Sequence, residues 1–193
     1  MKILAFSDVH GDLNYLKEVY RKSKKENPDI IICAGDMLNF WEYNNKIKNS
    51  LDNFDKKILL IHGNHEDEKL INKLCSKNII NIHKKIFEFN GLNFVGYGGG
   101  GFEQEDKRFE RFINKIKDKL KKWILVTHAP PFNTHLDLVF DRHVGSKSIR
   151  ESIEKFNPEL NICGHLHENF NIRDKIKSTR IINPGPSGEI LKL

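Results

Sequence analysis

Lys2-Ile3-Leu4-Ala5-Phe6-Ser7-Asp8-Val9-His10-Gly11 opens the chain with a short apolar run that ends directly in two side chains able to hold a metal. Four further stretches repeat the arrangement: Ile30-Ile31-Ile32-Cys33-Ala34-Gly35-Asp36, Ile58-Leu59-Leu60-Ile61-His62-Gly63-Asn64-His65-Glu66, Trp123-Ile124-Leu125-Val126-Thr127-His128 and Leu160-Asn161-Ile162-Cys163-Gly164-His165-Leu166-His167. Each run is rich in β-branched and aliphatic residues and has the length of a buried strand. The polar residues therefore fall where strands stop. In an open α/β sheet, ligands bind beyond the strand C-termini, so five segments would deliver Asp, Asn and His into one crevice. A lone Asp-x-His or His-x-His is a weak signal, but five at strand ends reinforce one another.

The segments between these runs predict an α/β chain. A helical pattern from Asp12 to about Lys25 has Asp12 as N-cap and is stopped by Asn27-Pro28. Further helices are expected over about Phe40–Phe54, Asp67–Ser76, Glu103–Lys121 and Ser146–Phe156. Ile79–Asn81, Ile86–Phe89 and Phe94–Tyr97 read as short strands with a hairpin turn at Asn90-Gly91, so an antiparallel section should follow the first βαβ units. The stretch from His128 to Arg142 reads as irregular, and the C-terminus as short strands with turns at Asn183-Pro184-Gly185-Pro186. With no repeat or linker, residues 1–193 are expected to form a single domain with two sheet sections.

The net charge of +6 permits an acidic partner, but the 32 basic residues, mostly lysine, are scattered among 26 acidic ones. Nucleic acid is therefore a permitted but not a favoured partner. No apolar stretch approaches the ~20 residues of a bilayer span, so no membrane association is expected. Cys33, Cys75 and Cys163 have no Cys-x-x-Cys spacing and read as small hydrophobes. A cytoplasmic, reduced protein is the expectation.

Carboxylates, an amide and neutral imidazoles without a thiolate suit borderline divalent ions such as Mn²⁺, Fe²⁺, Co²⁺, Ni²⁺ or Zn²⁺. Asp8, His10, Asp36, Asn64, His128, His165 and His167 are too many ligands for one ion that must keep an open position. Two ions sharing a carboxylate fit better. On a regular strand His165 and His167 would point the same way about 6–7 Å apart, so both rings could face the crevice.

Asp8-x-His10-Gly11, Gly35-Asp36, Gly63-Asn64-His65-Glu66, a lone His128 and Gly164-His165-x-His167, in this order, resemble the calcineurin-like metallophosphoesterases. The resemblance implies a four-layer α-β-β-α sandwich with mixed sheets and a metal site at the strand C-terminal edge. It implies that Asp8, His10, Asp36 and His167 hold one ion, and that Asn64, His128, His165 and the shared Asp36 hold the other. His65 would touch the scissile phosphate and protonate the leaving oxygen, opposite a hydroxide bridging the two ions. The activity implied is phosphoester hydrolysis, with a small-molecule or nucleotide phosphodiester as substrate and Mn²⁺ as the leading metal. A nuclease or phosphomonoesterase of the same fold, and a scaffold that keeps the shape without turnover, are the alternatives; the retained His65 and full ligand set weigh against the scaffold.

Other residues carry thinner signals. Asp12 could orient His10 or His65, although its N-cap position already explains it. His62 reads as a sheet-packing residue, and His83 and His135 as solvated. His143 precedes a helix for which Ser146 is the expected cap, and it could approach substrate phosphate, as could Asn133 in the loop after His128. Gly98–Gly101 could form an anion nest, though a plain turn is the simpler reading.

Overall fold

A computed structural model describes residues 1–193. Its first half is a parallel βαβ series: β1 (Lys2–Phe6), α1 (Leu13–Glu26), β2 (Ile30–Cys33), α2 (Asn45–Asp52), β3 (Ile58–Leu60), α3 (Glu68–Leu74) and β4 (Ile79–Asn81). Then follow β5 (Lys85–Phe89), β6 (Leu92–Tyr97), α4 (Lys107–Ile116) with a 3₁₀ turn at Lys117–Lys119, and β7 (Trp123–Thr127). The last third contains β8 (Leu138–Val139), β9 (Arg142–His143), α5 (Lys147–Phe156), β10 (Leu160–Ile162), β11 (Arg173–Ile176), β12 (Thr179–Ile182) and β13 (Glu189–Lys192).

Two large sheets result, in the orders β13-β1-β2-β3-β4 and β11-β12-β10-β7-β6-β5. Parallel strands form the centre of both, and antiparallel β13, β11 and β5 close the edges. The alternation of strand side chains sorts the core into three layers. Leu4, Phe6, Ile31, Cys33 and Leu60 face Leu16, Val19, Ile47 and Ile71 of α1–α3. Ile3, Ala5, Ile30, Ile32 and Leu59 face the other way, onto Phe94, Ile124, Val126 and Ile162 of the second sheet. Val95, Leu125 and Ile181 then meet Phe109, Ile113, Ile149 and Ile153 of α4 and α5. The architecture is the four-layer α-β-β-α sandwich with mixed sheets.

Several local expectations are corrected. The helix predicted from Phe40 begins only at Asn45, because Phe40 and Trp41 hold φ of 38° and 63° and the Asn44 side chain caps the helix by accepting from Lys46 and Ile47. The helix predicted from Glu103 starts at Lys107, where Asp106 accepts the Arg108 and Phe109 N–H groups. β4 is parallel to β3 and completes the first sheet, so the antiparallel section is confined to the β5–β6 hairpin. The stretch expected to be irregular contains the small β8–β9 ladder. Asp12 and Ser146 both act as helix caps.

Candidate metal centre

The C-terminal ends of β1, β2, β3, β7 and β10 lie along one edge of the sandwich, and backbone hydrogen bonds knit the loops that leave them. Asp8 N–H donates to Gly35 O (3.0 Å), His10 N–H to Asp36 O (2.9 Å), and Gly164 N–H to His128 O (2.9 Å). The glycines of the motifs permit this closeness. A Cβ on Gly63 would overlap the Asp36 carboxylate, and one on Gly164 would stand 2.5 Å from Asp8 Oδ2. Asp8, His10, Asp36 and His165 themselves have φ between 48° and 75°. Left-handed backbone at four non-glycine positions is strain of the kind that tertiary contacts must hold, and it concentrates where ligands converge.

All seven sequence-predicted ligands are brought together, in two groups. In the first, His10 Nε2 lies 3.1 Å from His167 Nε2, and His167 Nε2 lies 3.8 Å from Asp8 Oδ1. In the second, Asn64 Oδ1 is 2.9 Å from both His128 Nε2 and His165 Nδ1. Asp36 touches both groups, with Oδ2 at 3.7 Å from His10 Nε2 and 3.2 Å from His128 Nε2. His65 sits between the groups and the surface, its ring 4.6 Å from that of His10 and its N–H donating to Asp36 Oδ1 at 2.9 Å.

His165 and His167 reach different groups without the regular strand expected of them. β10 stops at Ile162, His165 has φ 75°, and a 3₁₀ turn begins at His167. The turn, held by Asn183 Nδ2 donating to Leu166 O, aims the two rings apart.

Burial and neighbouring charge set the proton affinities. Burial tends to raise the Asp36 carboxyl, but the hydrogen bond and positive charge of His128 outweigh it and hold it well below the usual carboxylate range. Burial likewise opposes protonation of His128, yet Asp36 raises it to about 9. His165 is lowered to about 4, first by burial and then by His128. His10 is lowered for the same leading reason.

This donor set fits divalent cations. Oxygen and imidazole donors lie within 4.8 Å of one another in three overlapping sets: Asp8-His10-His167, His10-Asp36-His65 and Asp8-Asp36-His128. Buried nitrogens of His65 (Nδ1) and His165 (Nε2) have no hydrogen-bond partner in the protein. Lone pairs of His10 and His167 that face each other at 3.1 Å are better satisfied by a shared cation than by one another.

Glu66 is the site residue the sequence reasoning assigned no role. It is 1% exposed and accepts N–H bonds from Met37 and Leu38, just after Asp36, and from Gly63, just before Asn64. One carboxylate thus ties two ligand loops together. Burial, with Asp36 nearby, pushes it up to about 7. Its position in Gly63-Asn64-His65-Glu66 was the available signal.

His143 and Asn133 are both bonded to Asp137. His143 Nδ1 is 2.7 Å from Asp137 Oδ1, Asn133 is exposed with φ 57°, and neither lines the cavity beside the ligands. His83 is corrected: it is 6% exposed, packs against His62 with the two rings tilted by 50°, and accepts the Gly98 N–H through Nδ1 at 2.8 Å. The Gly99 N–H is likewise committed, to His62 O, so these two glycines offer no anion nest. His62 packs as expected, and exposed His135 pairs with Asp174.

The model of the calcineurin-like phosphoesterases matches residues 1–169. An uncharacterized protein of Methanocaldococcus jannaschii is 36% identical over 200 aligned positions, covering 96% of this chain and 88% of that one. A solved Thermus thermophilus structure has a TM-score of 0.78 at 16% identity, over 95% of this chain and 88% of its own. An archaeal phosphodiesterase has a TM-score of 0.57 at 19% identity, over 96% and 84%. At such identities the two structures testify to the fold.

Proposed function

The chain belongs to the calcineurin-like phosphoesterase family, and from that premise we propose that it is a two-metal phosphodiesterase acting on small-molecule or nucleotide diesters. The observation that carries the dinuclear reading is Asp36, whose carboxylate contacts both ligand groups. In this reading Asp8, His10 and His167 hold one ion, Asn64, His128 and His165 the other, and Asp36 both. Mn²⁺ is the leading metal, with Fe, Ni, Co or Zn as its competitors for the same donors. Bound there, the ions would acidify a water and offset charge building on the phosphoryl oxygens.

The protein's own residues supply orientation and the proton. As water oxygen bonds to phosphorus and the ester oxygen departs, His65 delivers a proton to that leaving oxygen. The preference for diesters rests on charge. The cavity of about 310 Å³ beside the ligands is lined by Asp36, Asn64, His65, His165, His167, Glu168, Phe102, Val139 and Leu166, with no lysine or arginine. A dianionic monoester or a polyanionic nucleic acid strand would find no permanent cationic side chain there. A diester carries one negative charge and two arms that can use apolar contact.

The setting proposed is the cytoplasm; all three cysteines are free thiols, and no helix is long and apolar enough to cross a membrane. The test is elemental analysis of purified protein together with turnover of a chromogenic diester and its matching monoester. Two ions per chain and faster diester cleavage are expected. One ion per chain, or a preference for the monoester, would overturn the corresponding half of the proposal.

A further inference from the structure

We propose that Phe40 and Phe102 are specificity-determining residues, two aromatic walls beside the ligand cluster that hold a planar aryl or nucleobase-like arm of the substrate. The inference rests on the phosphoesterase reading and narrows its substrate class.

Six large hydrophobic side chains are exposed; of these Phe40 and Phe102 lie against His65 and His165, Trp41 donates its N–H to His65 O, and Phe140 follows the cavity-lining Val139. Single exposed apolar residues are ordinary on any protein surface, whereas a group gathered around one site marks a binding surface. Phe40 is 72% exposed and Phe102 67%, and neither belongs to a core layer. Both nevertheless lie against site histidines, Phe102 as part of the cavity lining and Phe40 outside it, against His65. The Phe40 ring lies 4.6 Å from the ring of His65, and the Phe102 ring lies 4.8 Å from that of His165, edge to face. An arm lying on either ring would therefore be attached to a phosphorus near the ligands.

Their positions are held by backbone. Phe40 and Trp41 adopt φ of 38° and 63°, a conformation bulky residues rarely take, and the Trp41 N–H donates to His65 O at 2.8 Å. Position 40 is thereby tied to the residue it flanks. Phe102 follows Gly98–Gly101, where the Gly98 and Gly99 N–H groups bond to His83 Nδ1 and His62 O. At Gly101, φ 159° brings the chain against His165, whose Cε1 would be 3.8 Å from an added Cβ. The chemistry of the cavity selects the same class of arm. Phe102, Val139 and Leu166 supply its apolar lining and no Lys or Arg is present, so recognition beyond the phosphorus falls to stacking and apolar contact.

The test uses Mn²⁺-loaded full-length protein and two diesters with one leaving group, phenyl 4-nitrophenyl phosphate and methyl 4-nitrophenyl phosphate. The wild type should favour the phenyl arm in kcat/KM by roughly tenfold. Phe40→Ala and Phe102→Ala should each lower kcat/KM for the phenyl substrate by about 3- to 10-fold more than for the methyl substrate. Tyr at either position should keep the preference. Calorimetric titration with phenylphosphonate and methylphosphonate gives a readout independent of turnover, and the Ala variants should lose the phenyl preference there too. Equal losses for both arms, or no loss in either variant, would overturn the aromatic walls while leaving the phosphodiesterase reading intact. Cleavage of neither diester, with a Phe-dependent phenylphosphonate preference retained, would instead sink the diesterase reading and keep the walls.

Discussion

Replacing Asp137 with asparagine should cost stability without touching a ligand. The carboxylate is fully buried and accepts four hydrogen bonds from residues 133–145, with a weaker fifth contact from the Thr134 hydroxyl, whose proton points mainly to Pro131 O at 3.0 Å. Oδ1 takes the Thr134 N–H at 2.8 Å, the Thr134 hydroxyl at 3.4 Å and the His143 ring at 2.7 Å. Oδ2 takes the Asn133 N–H at 3.0 Å and the Gly145 N–H at 2.9 Å. An asparagine has one amide oxygen to offer. Its better orientation keeps that oxygen on Asn133 and Gly145, because the Thr134 hydroxyl can rotate and the His143 imidazole can change tautomer to accept from the new amide. The Thr134 N–H, buried at 4% exposure, cannot adapt and is left facing another donor.

One orphaned buried N–H costs about 1–3 kcal/mol, and loss of charge assistance in the remaining bonds adds about 1 kcal/mol, giving roughly 2–4 kcal/mol in all. Urea unfolding in the presence of chelator, which removes any contribution from bound metal, should show the midpoint falling by roughly 1–2 M. Lys107→Ala is the control, since its exposed pair with Glu110 should be worth less than about 1 kcal/mol. A change below about 0.5 kcal/mol for Asp137→Asn would mean that this carboxylate does not hold the loop, and that the loop carrying Val139 to the cavity is held by something else.

Four further outcomes are expected. Asp36→Ala should lose both ions, and two ions still bound near stoichiometry by elemental analysis would exclude the bridging role. His65→Ala should keep its metal while the rate falls by roughly 10²–10⁴, with a smaller fall for a nitrophenolate leaving group that needs no proton; equal falls would point to stabilisation of phosphoryl charge instead. His165→Ala and His167→Ala should each deplete a different ion, as their separate contacts with Asn64 and His10 imply, and anomalous diffraction showing the same site emptied in both would refute the split. His83 is lowered to about 3, chiefly by burial and then by His62, so the unfolded chain takes up its proton first. The resulting stability is complete above the unfolded value near 6.5 and is lost as pH falls toward 3. Between pH 7 and 5 the loss should be about 1–2 kcal/mol, discounted because His83 borders a surface groove with Glu68 and Lys84, and chemical unfolding of His83→Phe should show that part of the slope removed.

The strand-end motifs were legible because two constraints coincided in them. A buried parallel strand reads as an unbroken apolar run, and the residue that follows it is confined to the ligand-binding edge. The gathering of these side chains at one sheet edge and the number of helices therefore followed from local sequence. The segment from Phe40 to Asn44 did not, because its aromatic residues carry the apolar signal of a helix while the His65 carbonyl draws the Trp41 N–H into an irregular turn. His83 was invisible for a similar reason. Nothing within several residues of it indicates that the Gly98 N–H will arrive from a neighbouring strand end and fix its ring in the interior. Asp137 gathers donors from positions 133 to 145, and such a pattern has no periodicity to detect.

His165 and His167 contact different side chains, but not for the reason strand periodicity suggests. Strand periodicity would send both rings to one face, with only their spacing along the strand to part them. The chain instead leaves β10 at Ile162, passes Gly164 close against Asp8, turns left-handed at His165 and enters a 3₁₀ turn at His167. The rings separate because the backbone turns between them. The strain stored at His165 is offset by its N–H bond to Asp8 Oδ1 at 3.0 Å and by Asn183 holding the Leu166 carbonyl. If the turn, and not the spacing, does the separating, Asn183→Ala should loosen the hold on both ions although Asn183 contacts neither ligand ring. Metal titration showing wild-type affinity at both sites in that variant would return the explanation to spacing alone.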